Sequence, residues 1–113
     1  MAIKIINLET GRPTVELALS RLGQELRTAK AAGHKAVKVI HGYGSTGRGG
    51  AIKAELPRYL DGRKRQGLIR DYACGAQFCA FHPSGRRLAA ALPELGRDLD
   101  YARVNDGITV ILL

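Results

Sequence analysis

The sequence predicts an α/β domain of order βαβαβ, followed by an irregular insertion over residues 75–104 and a last β-strand. Short apolar and β-branched runs alternate with stretches in which apolar residues recur every three or four positions, and the 113 residues suit one domain spanning 1–113. A strand, a long helix and a second strand form a βαβ unit, whose strands run parallel with a right-handed crossover. We therefore expect a four-stranded mixed sheet in a two-layer or an open three-layer arrangement.

The first βαβ unit lies in the N-terminal third of the chain. Ile3–Leu8 is a short apolar run, which predicts a strand buried on both faces. Thr14 is the expected N-cap of a helix that reaches Ala32, since apolar residues recur there at helical spacing. Gly33 suits the position after the helix, where a left-handed backbone favours glycine. The β-branched run Ala36–Ile40 predicts the second strand.

The later elements are less regular. We expect a helix over Ala51–Arg65, a strand over Leu68–Cys74, a strand or extended loop over Gln77–Phe81, a helix over Arg86–Leu92 and a last strand over Ile108–Leu113. Pro57 lies inside the second helix and should kink or shorten it. The residues Asn105-Asp106-Gly107 should form a turn before the last strand.

Composition excludes several classes of protein. Hydrophobic residues make up 45% of the chain and charged residues 25%, which is typical of a folded domain rather than a disordered one. The first residues lack the features of a secretory signal, and no apolar run approaches the roughly 20 residues that span a bilayer. The two cysteines then indicate free thiols in a reducing, cytoplasmic setting, with no membrane partner.

The positive charge is concentrated in one segment. The formal net charge is +8, and between Lys35 and Arg70 nine basic residues face only Glu55 and Asp61. A basic surface confined to one segment is typical of a protein that binds a polyanion, because neutralised phosphates release counterions. The alternative interpretation is a solvated basic face that only aids solubility.

A glycine-rich loop over His41–Gly50 lies between the second strand and the second helix, where parallel α/β sheets place their ligands. Its five glycines allow backbone N–H groups to approach an anion closely, and the start of the helix adds a favourable dipole. Arg48 and Lys53 supply positive charge, and Tyr43 offers a ring on which a base could stack.

Two phosphate-binding motifs match this loop only in part. The spacing of Gly42, Gly44 and Gly47 fits a dinucleotide fingerprint, but no acidic residue ends a second strand at the required distance. A P-loop would need lysine where Arg48 stands and a hydroxyl residue where Gly49 stands. Both interpretations are rejected, while a structural glycine turn without a ligand remains open.

At this loop the sequence resembles a known family. Val39-Ile40-His41-Gly42-Tyr43-Gly44 is similar to the HGxG signature of the small MutS-related (Smr) domain. Thr14–Leu19 is similar to the start of the first helix of that family, and Asn105–Val110 to its closing glycine and strand. The resemblance covers about residues 3–74 and 105–113, and its insertion suits a divergent, single-domain branch.

The resemblance implies a fold like the carboxy-terminal domain of bacterial translation initiation factor three. It also implies binding of structured or branched DNA, or of RNA, and in some members endonuclease cleavage. The loop residues of the family carry over to His41, Gly42 and Gly44. A second family motif, Leu-Asp-x-His-Gly, does not carry over, because Asn7 stands at its aspartate and Glu9 at its histidine.

This departure bears on catalysis. Hydrolysis of a phosphodiester needs a base or a metal-held water, and Asn7 cannot act as a base. Glu9 and His41 could still form an acid–base pair without the other groups of the motif, so an endonuclease is one alternative. A protein-interaction module whose basic face meets an acidic partner is another.

The main prediction is nucleic-acid binding without efficient hydrolysis. The expected nucleic-acid-binding residues are His41, Gly42, Tyr43, Gly44, Gly47, Arg48, Lys53, Arg58, Arg63, Lys64 and Arg65. The basic residues of the second helix cannot all share one helical face.

No metal or cofactor is expected. Cys74, Cys79 and His82 could supply three zinc ligands, but their spacing matches no common closed site. Asp98 and Asp100 alternate around an apolar residue, and we expect them to border a turn and to pair with neighbouring arginines rather than to hold a cation.

Overall fold

The computed structural model describes residues 2–11, 13–42 and 49–113. The elements in chain order are β1 (Ile3–Asn7), α1 (Val15–Ala31), β2 (Ala36–Ile40), α2 (Gly49–Arg65), β3 (Asp71–Cys74), α3 (Pro83–Ala91), α4 (Pro93–Gly96) and β4 (Ile108–Leu112). A short 3-10 turn at Gly75–Gln77 follows β3. No helix in these ranges has both the length and the apolar character needed to cross a membrane.

The four strands form one mixed sheet in the order β1-β2-β4-β3. β1 is parallel to β2, whereas β4 runs antiparallel to both of its neighbours, β2 and β3. The predicted mixed α/β fold is therefore confirmed. Because β4 runs against the other three strands, its first residue lies at the edge where β1, β2 and β3 end. This edge brings together segments that are far apart in the sequence.

The first face of the sheet packs against α1 and α2. Val37 and Val39 of β2 point to this face, as does Ile111 of β4, and all three are fully buried. The helices contribute an apolar stripe at helical spacing, as the sequence predicts. Its buried members are Ala18, Leu22, Leu26, Ala29, Ile52, Leu56 and Leu60.

The insertion covers the second face of the sheet and makes the domain three-layered. Phe78, Leu88 and Leu95 are fully buried and pack with the sheet residues that alternate with the first set. The sheet residues in this cluster are Ala36, Ala73, Ile108, Val110 and Leu112. Residues 75–104 therefore supply the second half of the core.

One lysine of the sheet fastens the insertion in place. Lys38 Nζ donates to Asp98 Oδ1 at 2.7 Å and to Asp100 Oδ2 at 2.9 Å, and the three side chains are only 12–18% exposed. Burial alone would lower the pKa of Lys38, but the two hydrogen-bonded carboxylates outweigh it and raise that pKa. The expectation that these aspartates pair with neighbouring arginines is corrected, since a lysine 60 residues away binds both.

The edge strand β1 is not buried on both faces, contrary to the sequence-based expectation. Ile6 is buried against the helices, but Ile5 on the opposite side is 57% exposed. An apolar run suits a strand that is covered on both sides, whereas β1 lies at the edge of the sheet and the insertion packs mainly on the other strands.

Several boundaries also differ from the predicted ones. α3 begins at Pro83 rather than at Arg86, because proline fits the first turn of a helix, where no N–H partner is needed. α2 runs through Pro57 without being shortened. The third strand begins only at Asp71, after a turn at Gly67 with φ +75°. Within the described residues, 77–81 form no strand.

Candidate functional site

The candidate site lies where β1 and β2 end beside the turn that precedes β4. The backbone N–H groups of His41 and Gly42 both donate to the carbonyl oxygen of Gly107 at 3.0 Å. The Gly107 N–H donates in turn to Asn105 Oδ1 at 3.0 Å, which confirms the predicted turn. The loop that follows β2 is thus tied at its base to the start of the last strand.

The ring of His41 is turned into the protein, with 1% of its surface exposed. Its Nδ1 lies 3.0 Å from the carbonyl oxygen of Gly42, which can only accept, so Nδ1 carries the hydrogen. Nε2 is then free to accept from the Thr109 hydroxyl, whose Oγ1 lies 3.0 Å away. With both ring nitrogens engaged, the side chain holds the loop base to β4.

The protonation state of His41 follows from this setting. Burial lowers its pKa and outweighs hydrogen bonds to the backbone of Gly42 and Ile108, which favour the charged ring. Lys53 lowers the pKa further, while Glu9 opposes it. His41 is therefore a neutral, inward-facing residue at physiological pH.

Glu9 lies against the backbone of Gly42. A Cβ at Gly42 would overlap Glu9 Oε1, and Gly42 has φ +75°, so both space and backbone geometry require glycine. The Glu9 N–H donates to Asn7 Oδ1 at 2.8 Å, which fixes the turn after β1. The structure thus places Glu9 against the residue that follows His41. Among the described residues, however, neither nitrogen of the His41 ring bonds to the Glu9 carboxylate.

Lys53 is the first basic residue of α2 and therefore the one nearest the glycine-rich loop on this helix. Its Nζ lies 3.7 Å from Asp106 Oδ2, and the two side chains are 39% and 45% exposed. An ion pair of this length at the surface contributes little to stability, so another anion can replace the aspartate.

Two of the predicted arginines line an open groove beside α1. The groove has a volume of about 430 Å³ and lies along the C-terminal half of α2. Its lining residues are Leu19, Glu55, Arg58, Tyr59, Gly62, Arg63 and Gln66. The lining residues of α2 and the turn after it lie on one broad side of the helix, and Arg58 and Arg63 stand about 140° apart at the two margins of that side. The Arg63 guanidinium stacks over the Tyr59 ring, 4.9 Å from its centroid.

The other basic residues at the end of α2 are placed differently. Lys64 Nζ lies 3.1 Å from Asp71 Oδ1 on β3, and Arg87 of α3 binds the same carboxylate at 2.7 Å. Burial would raise the pKa of Asp71, but the hydrogen bonds from Arg87 and Lys64 outweigh it, so the pKa is lowered. Arg65 lies in the exposed last turn. The structure therefore separates Lys64 from the arginines of the groove.

The centre of the glycine-rich loop lies outside the described residues. Of the predicted binding residues, Tyr43, Gly44, Gly47 and Arg48 belong to this segment. Their assignment stays a prediction from the sequence.

Over residues 2–11, 13–42 and 49–113, no group of three or more His, Cys, Asp or Glu side chains is arranged to hold a metal ion. Cys74 is half-buried and Cys79 is buried, and both are free thiols.

Sequence reasoning missed three residues that shape this region. Thr109 is the one hydroxyl residue of the run ITVILL, and this break in an apolar strand was a usable signal. Tyr59 and Gly23 define the contact between α1 and α2 near the groove. No local pattern marks them, because each matters only through the other helix.

Comparison with known protein families bears directly on this arrangement. A family model for the Smr domain matches residues 10–76, which is more than half of the chain. The chain belongs to the Smr domain family. No curated protein and no solved structure matches it at a significant level.

The part matched by the Smr model contains α1, β2, α2, β3 and the His41-Gly42 turn. It begins immediately after Glu9, so the departure from the Leu-Asp-x-His-Gly motif falls outside the matched residues. Smr domains are a nucleic-acid-binding and endonuclease-like family. Nucleic acid is therefore the class of partner that membership indicates.

Proposed function

We propose that this Smr domain binds structured DNA or RNA through its HGxG loop and α2, without efficient hydrolysis. The observation that carries the proposal is the open groove beside α1, which Arg58 and Arg63 both line on the helix that follows the loop. Arginines at the two margins of one open groove can contact phosphates of a single strand that lies in it.

In this proposal the backbone amides of the loop, together with Arg48 and Lys53, hold phosphate groups. The long, exposed ion pair between Lys53 and Asp106 allows a phosphate oxygen to take the place of the carboxylate. Tyr43 stacks on a base. His41 holds the base of the loop in position through Gly107 and Thr109.

The surroundings of His41 support the absence of efficient hydrolysis. A general acid or base needs a ring nitrogen within hydrogen-bond reach of the substrate, and both nitrogens of His41 already bond inside the protein. The carboxylate that the Smr motif places at position 7 is absent, because this residue is Asn7, and its side-chain oxygen accepts a hydrogen bond within a turn. Glu9 is left without the histidine partner that an acid–base pair requires.

The experiment that tests binding measures affinity for duplex, branched and single-stranded DNA and RNA across a salt series. An Arg48→Ala/Lys53→Ala variant should bind more weakly and with a shallower salt dependence. The control is Arg86→Ala/Arg97→Ala, which changes the net charge by the same amount. Arg86 lies on α3 and Arg97 directly follows α4, and both are exposed. Equal affinities for the two variants would exclude the loop as the phosphate site.

An endonuclease that uses Glu9 is the second candidate, and the contact between the exposed Glu9 carboxylate and Gly42 favours it. It predicts strand breaks on a denaturing gel that disappear in Glu9→Gln while binding persists. Intact strands after prolonged incubation would exclude it. No nucleic-acid binding at about 150 mM salt would favour the third candidate, an acidic protein partner.

A further inference from the structure

The contact between α1 and α2 is set by Gly23. A Cβ at this buried position would lie 2.7 Å from Tyr59 Oη, so glycine lets the tyrosine of α2 seat directly on the backbone of α1. The Tyr59 hydroxyl is inaccessible there and has no hydrogen-bond partner among the described residues. Tyr59 therefore acts as a fixed support between the helices rather than as a ring free for stacking.

Two guanidinium groups from different helices both approach Gly23 beside this support. The Gly23 Cβ position lies 3.4 Å from Arg63 Nη2 and 3.8 Å from Arg27 Nη1. In the described parts of the chain, neither arginine has a carboxylate within ion-pair distance. Two like charges that approach the same point repel each other, and an anion bound between them would be attracted to both.

The groove continues this positive region along α2. Arg58 and Arg63 are five residues apart, which corresponds to about 7.5 Å along the helix axis. At about 3.4 Å per nucleotide, phosphates two nucleotides apart on one strand match such a spacing. Gln66 lines the same groove with an amide that can donate or accept a hydrogen bond. Glu55 lies at the end of the groove that is nearer the glycine-rich loop.

We propose that Arg27 of α1 and Arg58 and Arg63 of α2 form a phosphate clamp that binds the backbone of one nucleic-acid strand in the groove between the two helices. The inference rests on the proposed function and adds to it a second contact that includes α1. Tyr59 is a positioning residue, since it orients Arg63 by stacking and its hydroxyl is buried between the helices.

The clamp and the loop define a minimal ligand length. Lys53 and Arg63 are ten residues apart on α2, or about 15 Å along its axis. A strand that advances about 3.4 Å per nucleotide covers this distance in roughly four to five nucleotides. Affinity for single strands should therefore rise in a step once the oligonucleotide is long enough to reach both contacts.

The experiment compares Arg27→Gln/Arg63→Gln with Arg86→Gln/Arg97→Gln, which removes the same charge on the far side of the sheet. Binding of a twelve-nucleotide single strand is measured across a salt series. For the clamp variant we expect about tenfold weaker binding at about 150 mM salt and a salt slope lower by about 1.4, because each phosphate contact on a single strand contributes about 0.7; we expect less change for the control. Because Arg27 is exposed and Arg63 is half-buried, Arg27→Lys/Arg63→Lys should keep the fold and restore most of the slope.

Each outcome has a defined meaning. If the unaltered chain binds but the clamp and control variants behave alike, the clamp is excluded and the proposed function stands. If the unaltered chain binds no nucleic acid, both are excluded. If inorganic phosphate alone competes at the affinity of the oligonucleotide, the groove takes a free anion and not a strand. Competition by poly-glutamate at that affinity would assign the groove to an acidic protein.

Discussion

His41 illustrates how hydrogen bonds decide the role of a motif residue. The Gly42 carbonyl and the Thr109 hydroxyl fix a neutral ring with the hydrogen on Nδ1, and burial keeps its pKa below the usual 6.5. The unfolded chain takes up a proton at about that pH, whereas the folded chain does not. The stability of the fold is therefore complete above pH 6.5 and declines as the pH falls toward the pKa of the folded state.

This gives a direct prediction for His41→Gln. The unaltered protein should lose up to about 2 kcal/mol of unfolding free energy between pH 6.5 and pH 5, beyond any loss seen in the variant. Urea denaturation at several pH values measures the two slopes. Parallel slopes would show that folding does not lower the pKa of His41, which would reopen its assignment as an acid or base.

Two tyrosine hydroxyl groups, one buried without a partner and one hydrogen-bonded, offer a test of hydrogen bonding. Tyr59 Oη has no partner among the described residues, so Tyr59→Phe should leave the unfolding free energy unchanged or raise it by up to about 1 kcal/mol. Tyr72 donates to Asp61 at 2.7 Å and lies 3.2 Å from the Pro57 carbonyl, so Tyr72→Phe should lower it by about 1–2 kcal/mol. Thermal or urea unfolding distinguishes them, and the opposite order would contradict the assignment.

At the scale of elements, the insertion depends on one polar contact within an apolar interface. Helices α3 and α4 are short, with nine and four residues, and isolated helices of this length are not stable. Their apolar residues and the two aspartates that bind Lys38 hold them on the sheet. The same insertion gives the sheet its second covered face, so folding of each part requires the other.

Lys38→Met should therefore destabilise the domain strongly. The variant leaves two carboxylates close together with little solvent, and we expect a loss of about 2–4 kcal/mol at pH 7. Hydrogen bonds from Asn105 and Lys38 lower the pKa of Asp100 despite its burial, so the difference should shrink as the pH falls below its ordinary value of 3.8. Lys35→Met, at an exposed position, is the control and should change stability by less than about 0.5 kcal/mol. Equal losses for both variants would show that the contact of Lys38 with the two aspartates does not hold the insertion on the sheet.

The elements also show which predictions local sequence supports. Thr14 caps α1 by accepting from the Leu17 N–H at 3.2 Å, and Gly33 adopts φ +89° after the helix, as predicted. Both are contacts within a few residues. The helices of the insertion were less well predicted, since their formation depends on packing against the sheet. The start of β3 was also set by a turn at Gly67 rather than by apolar pattern.

Across the whole molecule, the basic segment is less uniform than its sequence suggests. Lys38, Lys53 and Lys64 each have a carboxylate partner, which comes from a distant part of the chain for Lys38 and Lys53 and from the next strand for Lys64. Arg58 and Arg63 instead line the groove beside α1. The field that a polyanion meets is therefore shaped by arginines of the helices more than by the total charge.

Asp106→Asn tests this view of the charge distribution. Removing the carboxylate that pairs with Lys53 should raise nucleic-acid affinity about two- to fivefold at low salt, and the gain should fade as salt is added. Glu94→Gln, which makes the same charge change on α4, should have a smaller effect. If the two variants bind equally well, Lys53 takes no part in binding.

The sequence by itself determined the order of elements, the caps of α1, the turn before β4 and the glycine loop, because each depends on neighbours a few residues away. It also carried the motif that marks the Smr family. Only the tertiary structure decided the covering of the second face, the partners of Lys38 and the inward turn of His41. The contact between His41 and Thr109 spans 68 residues, and that between Lys38 and Asp98 spans 60. Such pairs leave no periodic trace in the chain, since they exist only once the strands have been placed side by side.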